Sequence, residues 1–287
     1  MCSNRKDGST QRRGLLEHIV SCPLFRSRGR MPPFPSLASS ILILSILMPM
    51  GLVGCGPSAG ELEAVDYTPL VRDDWKVSTP AEQGLDPMLV AELYYNAAEL
   101  EKLYGLLVVK NGRLIAEQYF HEGSVAQKAR VQSVTKSYTS ALVGIALDRG
   151  CLSSVEQRML AFFPEVAGQI TDPRKEQITI RDLLQMRAGF PWEESDPALW
   201  EWLLSGRYVP LIEGFPLVKD PGTAFHYSNL TSNWLGIIVD RACGAHLKPY
   251  AEENLFSPIG IAAGEWGTDW DGHNNGCGDL HLTARDM

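Results

Sequence analysis

Metal-binding spacings are missing from this 287-residue chain: neither C-x-x-C nor H-E-x-x-H occurs, so the sequence gives a zinc site no support. The one G-x-S-x-G match, Gly56-Pro-Ser-Ala-Gly60, falls in the loose tether after Cys55 and not between a strand and a helix, so a Ser-His-Asp site has little support. The longest apolar run, Ile41 to Val53, has about 13 residues, short of the roughly 20 that span a hydrocarbon core. Positive charge is scarce beyond residue 54. The first 54 residues hold seven Lys/Arg and two Asp/Glu of the 26 and 34 in the chain, leaving the rest at a net −13. Such a body repels nucleic acid and anionic lipid. With 45% hydrophobic and 21% charged residues, no internal repeat and no low-complexity tract past the leader, what remains is an ordinary globular domain.

The N-terminal segment is polar and basic (Arg5, Lys6, Arg12, Arg13, Arg26, Arg28, Arg30) and runs into the apolar stretch, the n-region and h-region of a secretory signal. Leu52-Val53-Gly54-Cys55 closes it and resembles the lipobox of bacterial lipoproteins, in which the Cys becomes the lipidated first residue. A plain signal peptide with an incidental Cys is the alternative. Met31 is an alternative start. The expected organisation is a leader over 1–54, a lipidated tether over 55–80 and a catalytic-type domain over 81–287, held outside the cytoplasm at a membrane. Cys151, Cys243 and Cys277 remain in the body, and three cannot all pair, so one disulfide at most is expected.

Asp86-Pro87 opens a helix in which Leu89, Leu93, Ala97, Leu100 and Leu103 recur at helical spacing. Asn111-Gly112 joins two β-rich runs, 106–110 and 113–120, into a hairpin. Helices are predicted over 133–149, stopped by Gly150, and over 179–186, with Thr179 as N-cap and Asp182 three residues on. Others fit 197–205, 231–242 and 246–255. Thr283 and Asp286 carry the same capping signal at the end of the chain, which predicts a C-terminally truncated record.

Two short motifs carry chemistry. Ser133-Val-Thr-Lys136 is an S-x-x-K at a helix start, followed by eleven uncharged residues, Ser137 to Leu147. Burial and the positive end of the helix dipole disfavour a charged amine there, and a neutral amine one turn from a hydroxyl can take its proton. Backbone N–H groups at the helix start face where an oxyanion forms. The bland reading is a Ser N-cap with a snorkelling Lys, and Ser3-Asn-Arg-Lys6 shows how weak the motif is alone. Tyr227-Ser228-Asn229 follows the Pro221-Gly222 turn; its phenol can relay a proton and its amide can hold a carbonyl, or Asn229 merely caps the next helix. Trp192, Trp200 and Trp202 either line a cleft for an apolar acyl group or pack.

The order S-x-x-K at 133–136, Leu183-Leu-Gln-Met-Arg-Ala-Gly189, Y-S-N at 227–229 and Gly276-Cys-Gly-Asp-Leu-His-Leu-Thr-Ala-Arg-Asp286 resembles the serine β-lactamase and penicillin-binding-protein superfamily, in its class C-like branch of esterases, D-aminopeptidases and nylon-oligomer hydrolases. The resemblance runs from about Trp75 to the last residue and implies an α+β fold: a five-stranded antiparallel sheet flanked by helices, plus a helical subdomain. It further implies Ser133 as the nucleophile of an acyl-enzyme, Lys136 and Tyr227 sharing acid/base work, Asn229 positioning the substrate, and neither metal nor organic cofactor. Ala188 stands where the family usually has Ser. The family's third element, K-T-G or H-x-G on a late strand, is expected beyond residue 287, with the C-terminal strands. The expected partners are a small amide, ester or short peptide and, through Cys55, a membrane; the rival reading is a non-catalytic binding lipoprotein or an inactive fragment.

Overall fold

The computed structural model describes residues 56–287; the leader and the lipidation candidate Cys55 lie outside the described residues. Ser58 and Glu61 form a reciprocal capping box that starts α1 (Ala59–Glu63). Asp86 accepts from the Met88 N–H and Pro87 sets the first turn of α2 (Pro87–Ala97). The hairpin follows as β1 (Gly105–Lys110) and β2 (Arg113–Tyr119), antiparallel, with Lys110 opposite Arg113. Its turn residues Asn111 and Gly112 sit at φ 54° and 69°, both positive, as a tight I′ connection requires. A two-residue strand β3 (Ala129–Arg130) pairs with β4 (His281–Leu282). Among the described residues these two pairs are the strands, against the five in one sheet that the resemblance implies.

Between β3 and β4 the chain is helical: α3 (Thr135–Asp148), α4 (Pro164–Ala167), α5 (Ile180–Leu184), α6 (Pro197–Leu204), α7 (Tyr208–Gly214), α8 (Asn229–Cys243) and α9 (Leu247–Ala251). Thr179 and Asp182 exchange the predicted capping bonds at α5, and Gly244, at φ 67°, ends α8. Residues 229 to 240 of α8 are all buried, which makes it the central helix, with α3 and α5 packed on it. Trp234 is fully buried at its middle, its indole N–H donating to the Tyr208 carbonyl at 2.8 Å and its ring meeting Phe190 at 4.9 Å. A second, smaller cluster joins α2 to the hairpin through Val90, Tyr94, Ala97, Ala116 and Phe120.

Several expectations are corrected. Helix α2 buries Val90, Ala91, Tyr94 and Ala97, while Leu89 and Leu93 are 64% and 46% exposed. The helix is thus turned by one residue from the leucine stripe. Tyr94 decides this, because its ring stacks on Tyr67 and Phe120 while its hydroxyl donates to the Leu106 carbonyl at 3.0 Å, a burial no leucine matches. Within the 55–80 segment, expected as a lipidated tether, Tyr67 joins the small cluster and Val77 bridges to Leu114. Helix α8 begins two residues earlier than predicted because Ser228 caps it, accepting from the Thr231 N–H. The predicted 246–255 helix stops at Ala251 and continues as a wider π turn over Glu252–Phe256. Thr283 and Asp286 form their reciprocal bonds. Cys151, Cys243 and Cys277 are free thiols. Burial and a hydrogen bond that its S–H donates to Cys151 push the Cys243 thiol up to about 12.

Candidate active site

Ser133 lies in a single 3₁₀ turn, Gln132–Val134, which feeds directly into α3. The preceding Gln132 is held at φ 48°, a left-handed conformation that costs a non-glycine residue energy. That strain presents the Ser133 hydroxyl to solvent at the mouth of the helix. One turn on, Lys136 is half-buried and donates to three acceptors: Ser133 Oγ at 3.0 Å, Asn229 Oδ1 at 2.9 Å and the Cys277 carbonyl at 2.9 Å. The Tyr227 hydroxyl donates to Ser133 Oγ at 2.9 Å, and its ring centroid lies 5.0 Å from Lys136 Nζ. All four predicted residues therefore meet, across 94 and 93 positions of sequence.

Asn229, expected to position the substrate, is itself held on both sides by protein groups: its Oδ1 accepts from Lys136 and its Nδ2 donates to Glu194 Oε1 at 3.1 Å. In this arrangement Asn229 positions Lys136. Three further groups support the site that sequence reasoning missed. Glu193 is fully buried and takes the Ser228 hydroxyl at 2.5 Å and the Asn229 and Leu230 N–H groups at 3.1 Å, a carboxylate seated on the amino end of α8. Asn233 Oδ1 accepts from the Cys277 N–H at 2.9 Å, and the Thr139 hydroxyl donates to the Gly276 carbonyl at 2.8 Å. Gly276 has to be glycine, since a Cβ there meets the Ser232 carbonyl oxygen at 2.2 Å. Burial pushes the neighbouring Cys277 thiol up to about 11, so it stays protonated at neutral pH. None of these groups carries a spacing motif; only the 276–286 stretch had a signal.

The Leu183–Gly189 stretch holds up the loop that carries Tyr227: His226 donates its N–H to the Met186 carbonyl at 2.9 Å and Gly222 to that of Arg187 at 2.8 Å. Ala188 is buried, so an apolar methyl fits where the family has a hydroxyl. Trp192, next to Glu193, is 45% exposed and Trp200 is 38% exposed, so neither ring packs in the core. The Trp202 side chain lies outside the described residues.

A family model described as Beta-lactamase matches residues 97–276, well over half of the chain. The chain belongs to the beta-lactamase family. Among curated proteins this family member is 25% identical over 187 residues to Beta-lactamase-like protein 2 of Dictyostelium discoideum, covering 55% of this chain and 34% of that one. It is 29% identical over 152 residues to Monacolin J acid methylbutanoyltransferase of Aspergillus terreus, covering 46% and 36%. The chain thus spans about a third of the length of these relatives. Its fold is that of the structure titled EstCE1, a hydrolase with promiscuous acyltransferase activity, at a TM-score of 0.58 and 17% identity, with 72% of this chain and 70% of that one covered. The α+β fold of the beta-lactamase and penicillin-binding-protein type is thereby established, and the two strand pairs are its sheet-forming part among the described residues.

Proposed function

We propose that the protein is a serine hydrolase that cleaves an amide or ester bond through an acyl-enzyme on Ser133. One observation carries this reading: a single hydroxyl oxygen, Ser133 Oγ, is within 3.0 Å of an amine and 2.9 Å of a phenol. As Oγ attacks the substrate carbonyl, its proton passes to the Lys136–Tyr227 pair, which then returns a proton to the leaving alcohol or amine. Water enters next and the same pair takes its proton, so the acyl group leaves as an acid and Ser133 is restored. Asn229 and the Cys277 carbonyl keep Lys136 aimed at Oγ throughout. A relative named as a methylbutanoyltransferase supports transfer of an acyl group, and the exposed Trp192 and Trp200 rings favour an apolar one. The test is hydrolysis of p-nitrophenyl esters of increasing chain length. The wild type is expected to turn them over with a preference for apolar acyl groups, and Ser133→Ala to fall to the uncatalysed rate. Equal rates for both proteins leave a binding protein instead.

The reading extends to location: the Leu52–Cys55 lipobox supports an extracytoplasmic lipoprotein anchored through Cys55. Labelled palmitate is expected to enter the full chain and not Cys55→Ser, which moves to the soluble fraction. Labelling that survives in Cys55→Ser overturns the anchor.

A further inference from the structure

A second cluster lies at the far end of α8. Asp240 is eleven residues beyond Asn229, about 16 Å along the helix axis, so the cluster is separate from Ser133. Its side chain is 6% exposed, and its Oδ2 lies 2.9 Å from His273 Nδ1 and 3.5 Å from His246 Nδ1. The three potential donor atoms sit within 4.8 Å of one another. Two imidazole nitrogens converge on one carboxylate oxygen, while the other oxygen, Oδ1, is buried without a hydrogen-bond partner. Among the described residues no Lys or Arg forms an ion pair with Asp240; the adjacent Arg241 is turned to Glu165 and the Phe162 carbonyl.

We propose that Asp240, His246 and His273 form a binding site for a divalent cation of the zinc type. The donor set is the one that borderline metals take, two neutral imidazoles and a carboxylate. Bonds of about 2.0–2.2 Å in a tetrahedral site put neighbouring donors roughly 3.3–3.5 Å apart. The Asp240 separations of 2.9 and 3.5 Å bracket that edge, and the two imidazole nitrogens, within 4.8 Å of each other, draw together as the exposed His246 swings onto the ion. His246 is 67% exposed and leaves the fourth position open to water. Neither the six-residue spacing of Asp240 and His246 nor the long gap to His273 forms a motif, which is why the sequence showed nothing.

The consequence is mechanical. Asp240 belongs to α8, His246 immediately precedes α9, and His273 stands in the loop that continues to Gly276 and Cys277, whose carbonyls engage Thr139 and Lys136. An ion there clamps that loop to the helix behind the active site. The experiment uses untagged full-length protein, stripped with chelator and titrated with cobalt(II) and zinc(II). One metal per chain is expected, with cobalt d–d absorption and a raised melting temperature. The exposed His246→Ala, which leaves the core untouched, is expected to weaken binding more than tenfold and to remove the thermal shift. Failure to retain one equivalent, or His246→Ala binding as tightly as the wild type, overturns the proposal. So does a thiolate-to-cobalt charge-transfer band, which puts the ion on cysteine.

Discussion

Replacing Lys136 with alanine is expected to slow acylation of Ser133 by about 10³-fold, within the 10²–10⁴ that a positioned acid/base contributes. The side chain removed is the one that touches Ser133 Oγ, Asn229 Oδ1 and the Cys277 carbonyl together. The effect falls on turnover more than on substrate binding, since Lys136 makes its contribution as the proton moves. Lys136 is half-buried at the mouth of the site, so water can reach the three acceptors left behind and the fold survives. Tyr227→Phe keeps the ring over the amine and deletes only the hydroxyl that meets Ser133 at 2.9 Å; a loss of about 10²-fold is expected there. Burst kinetics with an activated ester read both. Wild-type acylation in Lys136→Ala, with an unchanged circular-dichroism spectrum, removes Lys136 from the reaction.

Arg285→Leu is expected to destabilise the protein by about 3–5 kcal/mol, because it leaves a buried carboxylate without its cation. The Arg285 side chain is 3% exposed and that of Glu117 is 1% exposed. The guanidinium meets Glu117 Oε1 at 2.7 Å and Oε2 at 2.5 Å, Asp74 at 2.5 Å and the Leu70 carbonyl at 2.6 Å. One residue near the end of the described chain thus ties β2 to the 70–75 segment. Joint replacement of Glu117 and Arg285 by leucine costs less than the two single changes added, which a double-mutant cycle in urea measures. The pair also sets an acid limit. Burial works to raise the Glu117 carboxyl, but hydrogen bonds from Arg285, the Tyr119 hydroxyl and the Leu70 N–H outweigh it and hold the group below its ordinary value. A depressed folded-state value means that this stabilisation is complete above the unfolded-state range and is lost as pH falls through the folded value. Wild-type stability is therefore expected to drop more steeply below about pH 4 than that of Glu117→Gln.

What was legible in the sequence was local. Asn111-Gly112 specified the hairpin because few residues accept two positive φ angles in succession, and Thr179 with Asp182 specified the start of α5 because each side chain satisfies the other's N–H. Ser133, Lys136 and Tyr227 were found because two of them sit one helical turn apart and the third follows a turn that precedes a long apolar helix. The rest depended on partners distant in the chain. Leucine periodicity chose the wrong face of α2, since the ring stack of Tyr67, Tyr94 and Phe120 outweighs a leucine stripe. Glu193 reads as an ordinary surface acid until α8 places its N–H groups above it. The protein contacts of Asn229 were likewise hidden, because Glu194 and Lys136 reach it from other segments.

The central claim is that Ser133 becomes acylated. The most direct measurement is intact mass spectrometry of the protein after brief exposure to an activated ester or a β-lactam, followed by peptide mapping. The account predicts one added acyl group on the peptide containing Ser133, and none on Ser133→Ala under the same conditions. Unmodified wild-type protein, or an adduct that persists in Ser133→Ala, contradicts it.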